Sequence, residues 1–150
     1  MKNLKTTFAI LAMASIAIFS SCKKTTTSDP PPAAVTADGF TYSENGSSTI
    51  KQGFQPSFLP QSHSLFVYTS AASSAAILFE FSLTTLAVGT YNLGPNYSID
   101  YPANPSFNPT AGSFIITSNA NGKISGTFTS SGSAGSISAV KGAFNNIPIQ

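Results

Sequence analysis

The pair Asn121-Gly122 narrows the fold more than any other feature of this chain. Asn and Gly tolerate the left-handed backbone that a two-residue turn requires, and such a turn has the twist of paired strands, so the pair marks a β-hairpin. Its flanks agree. Downstream, Ile124, Gly126 and Phe128 alternate with Ser125, Thr127 and Thr129, giving one apolar and one hydroxyl face. Upstream, residues 113–118 form the partner strand. A second pair, Asn45-Gly46, predicts another hairpin between residues 40–42 and 48–50. In residues 76–83, Ile77, Phe79, Phe81 and Leu83 share one face opposite Leu78, Glu80 and Ser82, the pattern of a central strand. Residues 64–70 precede it and 71–75 turn the chain. No window carries a helical stripe.

A short echo adds a packing expectation. Residues 124–128 and 140–144 share the form apolar-x-Gly-x-Phe, and a glycine on the inner face of a strand leaves room for a neighbouring aromatic ring. With residues 35–37, and with 97–101 as the last addition, the segments number seven or eight short strands. The fold class is therefore all-β and antiparallel, as a two-sheet sandwich or a flattened barrel over residues 35–150. Phe79, Phe81, Phe128 and Phe144 are expected in the core.

The first 34 residues read differently. Lys2 and Lys5 precede a run of 12 small and apolar residues at 8–19, followed by Ser20, Ser21 and Cys22. That is the order of a secretory signal. The run falls well short of the roughly 20 residues that cross a bilayer as a helix. Residues 1–21 are thus a removable signal. Cys22 is the only cysteine, so it has no disulfide partner within the chain. Phe19-Ser20-Ser21-Cys22 resembles a bacterial lipobox, with Phe where that pattern prefers an aliphatic residue. The resemblance implies that Cys22 becomes the lipidated N-terminus; the alternatives are an ordinary cleavage beside a chance cysteine, or a free thiol. Several acyl chains, at roughly 0.8 kcal/mol per buried CH₂, give a firm membrane anchor.

Residues 22–34 form a tether: charged and hydroxylated, then Pro30-Pro31-Pro32, semi-stiff and with nothing to bury. After removal of the signal, five lysines face five acids, so the mature chain has no net charge. No arginine and three scattered lysines beyond the tether leave no stripe for a phosphate backbone, which excludes nucleic acid as a partner. Lys23 is not the aspartate that retains some lipoproteins in the inner membrane, and no acidic export cluster follows. By that analogy the expected location is the outer membrane, periplasmic face, with surface exposure as the alternative.

The order and spacing of four stretches carry a second resemblance: Gly89-Thr-Tyr-Asn-Leu-Gly94, Gly112-Ser-Phe-Ile-Ile-Thr117, Lys123-Ile-Ser-Gly-Thr-Phe128 and Gly142-Ala-Phe144. Together with the lipobox, the chain resembles a family of small, uncharacterised envelope lipoproteins. The resemblance implies a lipid-anchored β-rich domain and brings no assigned activity. The tryptophan expected in the family's first strands is absent, where Asp38-Gly39-Phe40 stands.

Catalytic groups are sparse. His63 is the only imidazole, with no G-x-S-x-G and no acid near it in sequence, and reads as a solvated loop residue. Ser-x-x-Lys occurs at Ser20, Ser48 and Ser138 without its companion motifs. Zinc would need three or four ligands and calcium a spaced set of acids, so no metal or cofactor is expected. Glycoside hydrolysis would need two cooperating carboxylates; Glu80, the one acid in a strong strand, lies opposite its phenylalanines and reads as an outward charge. No catalytic residue is assigned, and the chain reads as a binding or structural module whose partner is an envelope protein or a glycan. Residues 90–111 hold four prolines, four asparagines, Tyr91, Tyr97, Tyr101 and Phe107, and read as a long loop. Tyrosine faces beside amides and a carboxylate suit a sugar or an extended peptide. Tyr97, Asp100 and Tyr101 are therefore the candidate ligand residues, exposed on one side, while Tyr91 packs under the sheet. The competing reading makes the rings a cover over one end of the sandwich.

Overall fold

The computed structural model describes residues 37–133 and 135–150. Nine strands are present among them: β1 (Gly39–Glu44), β2 (Lys51–Leu59), β3 (Ser64–Tyr68), β4 (Ile77–Leu83), β5 (Gly89–Asn92), β6 (Tyr97–Asp100), β7 (Asn108–Ala120), β8 (Lys123–Ser133) and β9 (Ala139–Pro148). All neighbours are antiparallel, in the order β5-β7-β8-β9-β1-β2-β3-β4-β6. The sheet curls into a nearly closed, flattened barrel, and β6 comes back beside β7. The all-β expectation holds.

The corner of the barrel is β2. Lys51, Gln52 and Gly53 pair with β1, whereas Phe54 and residues 57–59 pair with β3. Between the two halves, Gln55 takes a φ of 46° and the register shifts across Pro56. A bulge both bends the strand and accepts a proline, whose missing N–H would weaken a regular ladder. Ile149 and Gln150 then run beside the end of β2, with Gln150 N–H donating to Phe58 O at 2.9 Å.

Both Asn-Gly turns are present, with Asn45, Gly46, Asn121 and Gly122 all at positive φ. The second arm of the first hairpin starts at Lys51, so residues 48–50 belong to the connection. Of the expected strand at 35–37, residues 35 and 36 lie outside the described residues and Ala37 precedes β1. Residues 90–111 are not a long loop: β5, β6 and the start of β7 occupy half of them. Pro95, Pro102 and Pro105 fall in the turns, and Pro109 sits at a register irregularity near the start of β7.

The core is aromatic. Phe40, Phe79, Phe81, Phe114, Phe128 and Phe144 are all fully buried. Phe40 stacks on Phe128 at 5.3 Å and Phe114 on Phe144 at 4.7 Å between centroids, while Phe81 meets Phe128 edge-on at 4.8 Å. Offset and edge contacts of this kind add about 0.5–1.5 kcal/mol per pair beyond area burial. Leu78 departs from the alternation. A register shift between Val67 and Tyr68 makes it the extra residue, and it turns inward against Gly53.

Candidate functional site

Strand directions give the barrel two ends. The lower end carries residues 60–63, 84–88 and 121–122, the upper end 45–50, 69–76, 101–107 and 135–138, and residues 93–96 return from β5 to the start of β6 beside His63 and Thr84. The described chain begins at the lower end. There Asn145 Nδ2 donates to Ala37 O, Asn146 Nδ2 donates to Asp38 Oδ1 at 2.7 Å, and Lys123 approaches Asp38 at 3.8 Å. Cys22 lies outside the described residues.

Tyr97, Asp100 and Tyr101 do not form one exposed surface. Tyr97 is 1% and Tyr101 4% exposed, and Ile99 between them is buried as well. Alternation along β6, continued into Tyr101, turns these three inward and leaves Ser98 and Asp100 outside. The expected exposure of the two tyrosines is therefore corrected. Tyr97 packs on Phe114 at 5.6 Å, and its hydroxyl is buried without a hydrogen-bond partner among the described residues. Burial pushes its pKa up. Tyr101 lies 4.3 Å from Phe79 and 6.2 Å from Phe107, closing the upper end, as the covering role of these rings requires. Tyr91 is half-buried against the core, as expected, and its hydroxyl donates to Ala87 O at 2.6 Å.

Glu44 organises that upper end. It accepts from Tyr101 Oη at 2.6 Å and from Lys51 Nζ at 2.7 Å, and the same ammonium stands 5.7 Å from the centre of the Tyr42 ring. Burial alone would raise the Glu44 pKa, but the hydrogen bonds from Lys51 and Tyr101 outweigh it and hold the carboxyl below its ordinary value. The Lys51 pKa is raised in return, chiefly through its bond to Glu44. Burial, then Glu44, pushes the Tyr101 hydroxyl up.

Asn45 does a second job beyond its turn, one that a local reading of Asn-Gly misses. Its Oδ1 accepts from Ser138 N at 2.7 Å and from Ala139 N at 3.3 Å, and its Nδ2 donates to Ser136 O at 2.7 Å. A single amide thus ties the β1–β2 turn to the residues leading into β9.

Two hollows open on the outside. One, of about 220 Å³, lies at the lower end and is lined by His63, Thr84, Pro95, Asn96 and Ser98, among others. The other, of about 180 Å³, lies on the outer face near the upper end, with Ser43, Thr129, Ser131 and Lys141 around it. His63 is exposed in its turn, as expected. Glu80 faces outward and accepts from Ser64 Oγ at 3.1 Å; Asp100 is its cross-strand neighbour on β6, and neither acid lines either hollow. Among the described residues no group of three or more His, Cys, Asp or Glu side chains could hold a metal. A scan against protein-family models, a search of curated proteins and a search of solved structures each find no match.

Proposed function

We propose that this chain is a lipid-anchored, non-catalytic binding or structural module of the bacterial cell envelope, held at the outer membrane through Cys22. The observation that carries the reading is the 12-residue apolar run closing on a lone cysteine, ahead of a proline-rich stretch and a separate β-barrel. The barrel supports it in two ways. Its aromatic core is complete without a partner, and the chain reaches it at the lower end, so a tether there leaves the upper end and the outer face pointing away from the bilayer. The non-catalytic part rests on the dispersal of the ionisable groups. Glu44 is committed to Tyr101 and Lys51, the Glu80–Asp100 pair stands on an outward face away from both hollows, and His63 sits in a turn of its own.

A carbohydrate-binding role through residues 90–111 loses its main support, because the rings that would stack on a sugar face inward. The anchor is tested with Cys22→Ser in the native host. The wild type should incorporate labelled palmitate and fractionate with the outer membrane, and the variant should do neither. A variant that still takes up palmitate and stays in the membrane would refute it.

A further inference from the structure

The two Asn-Gly pairs of this chain form the same turn at opposite ends of the barrel. Asn45 and Asn121 take φ values of 52° and 54°, and Gly46 and Gly122 values of 70° and 68°. All four residues are exposed. Sequence and backbone are thus matched, and the difference lies in what each side chain holds. Asn45 is clamped to the segment entering β9: Oδ1 accepts from Ser138 N, Ser138 Oγ and Ala139 N, Nδ2 donates to Ser136 O, and its own N–H donates to Ala139 O at 2.8 Å. The Asn121 amide has no hydrogen bond to any described residue.

That difference bears on a reaction to which Asn-Gly is open, because no Cβ shields the glycine nitrogen. The nitrogen adds to the asparagine Cγ, and the new N–C bond closes a succinimide ring. The Cγ–Nδ2 bond breaks, and the amine leaves as ammonia with the proton given up by the glycine N–H. Water then adds to one of the two ring carbonyls. Opening at Cγ yields aspartate; opening at the main-chain carbon yields isoaspartate, whose main chain runs on through Cβ and Cγ. To close the ring the side chain must swing onto the main chain. At Asn45 that swing first breaks the amide's bonds to Ser136, Ser138 and Ala139, whereas at Asn121 it needs only a local opening of the hairpin tip.

We propose that Asn121 is a site of spontaneous modification in the folded protein, converting to isoaspartate and aspartate, and that its clamp shields Asn45 from the same reaction. The change at Asn121 reaches the lower end of the barrel. Gly122 O accepts from Ile149 N at 2.8 Å, and Gln150 N donates to Phe58 O, so this turn holds the C-terminal strap in place. Isoaspartate puts an extra carbon into the main chain of a two-residue turn and displaces the Gly122 carbonyl. The strap loosens, and with it the cover that Ile149 gives the core beside Phe58. The inference goes beyond the binding-module reading and holds with or without the lipid anchor.

The test ages full-length protein, purified in detergent, in warm and mildly alkaline buffer. Mass spectrometry of the peptides carrying residues 45 and 121 follows the replacement of amide by carboxylate, and methyl labelling with an isoaspartyl methyltransferase reads the isoaspartate share. In the folded protein Asn121 should convert about tenfold or more faster than Asn45, whose ring closure first loses several hydrogen bonds. In urea the two should convert at similar rates, because the clamp is gone. Hydrogen exchange at Ile149 and Gln150 should be faster in aged than in fresh protein. Asn121→Asp, which carries the new charge without the longer main chain, should keep the protection of fresh protein. Should that variant fail to fold, aged against fresh wild type carries the comparison. The proposal is overturned if Asn45 keeps pace with Asn121 in the folded protein, if folded Asn121 stays intact while the urea-unfolded chain converts, or if converted protein protects Ile149 and Gln150 as fresh protein does.

Discussion

Phe128 lies over Gly142. The two are register partners on β8 and β9, and a Cβ on Gly142 would stand 2.5 Å from Phe128 Cε1. The relationship is reciprocal: Gly126 is the register partner of Phe144, and a Cβ there would stand 2.6 Å from Phe144 Cζ. Each glycine makes the space that its partner's ring fills, and the two rings then stack on Phe40 and Phe114 respectively.

Gly142→Ala should therefore destabilise the barrel. The added methyl meets the Phe128 ring and also the Thr41 carbonyl, so relief needs movement of both a packed ring and a strand. Overpacking of this kind costs about 1–3 kcal/mol. Urea denaturation checks it, and an unchanged midpoint would contradict the packing described.

Truncating a ring at the same crossing acts in the opposite sense on volume and in the same sense on stability. Phe128→Ala leaves a cavity amid Phe40, Phe79 and Phe81, and the expected loss is about 3–5 kcal/mol by the same measurement.

Tyr97 on β6 and Tyr101 just after it should respond differently to loss of their hydroxyls. Tyr97→Phe removes a buried oxygen that has no partner among the described residues, so stability should be unchanged or slightly raised. Tyr101→Phe breaks the bond to Glu44, and the expected loss is about 1–3 kcal/mol. Thermal melts of the two variants side by side give the comparison. A loss in Tyr97→Phe as large as in Tyr101→Phe would contradict the assignment.

The Glu44 network should leave a signature in pH dependence. Glu44 has a folded pKa below its ordinary value, so its contribution is present above the ordinary carboxylate range and is lost as pH falls through the lower folded pKa. Lys51 and Tyr101 have raised folded pKa values, so their contributions are present below their ordinary values and are lost as pH rises through the folded ones. Denaturation across pH should show Glu44→Gln with a flatter acid limb than the wild type. Equal slopes would contradict it.

Much of this fold was legible because the signals were local. Asn45-Gly46 and Asn121-Gly122 announce their turns through backbone preference alone, and the apolar-x-Gly-x-Phe echo announces that a glycine yields to a ring. The echo could not say which ring, since that depends on the β8–β9 register. Residues 90–111 misled for a physical reason: proline and asparagine are frequent, yet Pro95, Asn96, Pro102, Asn104 and Pro105 sit in the turns, while the alternation of Tyr97, Ile99 and Tyr101 around Ser98 and Asp100 carried the strand. The clamp of Asn45 on Ser136, Ser138 and Ala139 was invisible in sequence, because these residues lie far along the chain and meet Asn45 only through the β1–β9 pairing.

The central claim is that Cys22 is the lipidated N-terminus of the mature protein. Mass spectrometry of the N-terminal peptide, taken from protein purified out of its native envelope, tests it most directly. The expected result is a peptide beginning at Cys22, lacking residues 1–21 and carrying the added mass of a diacylglycerol and an acyl chain. A peptide beginning elsewhere, or one with an unmodified Cys22, would contradict the claim.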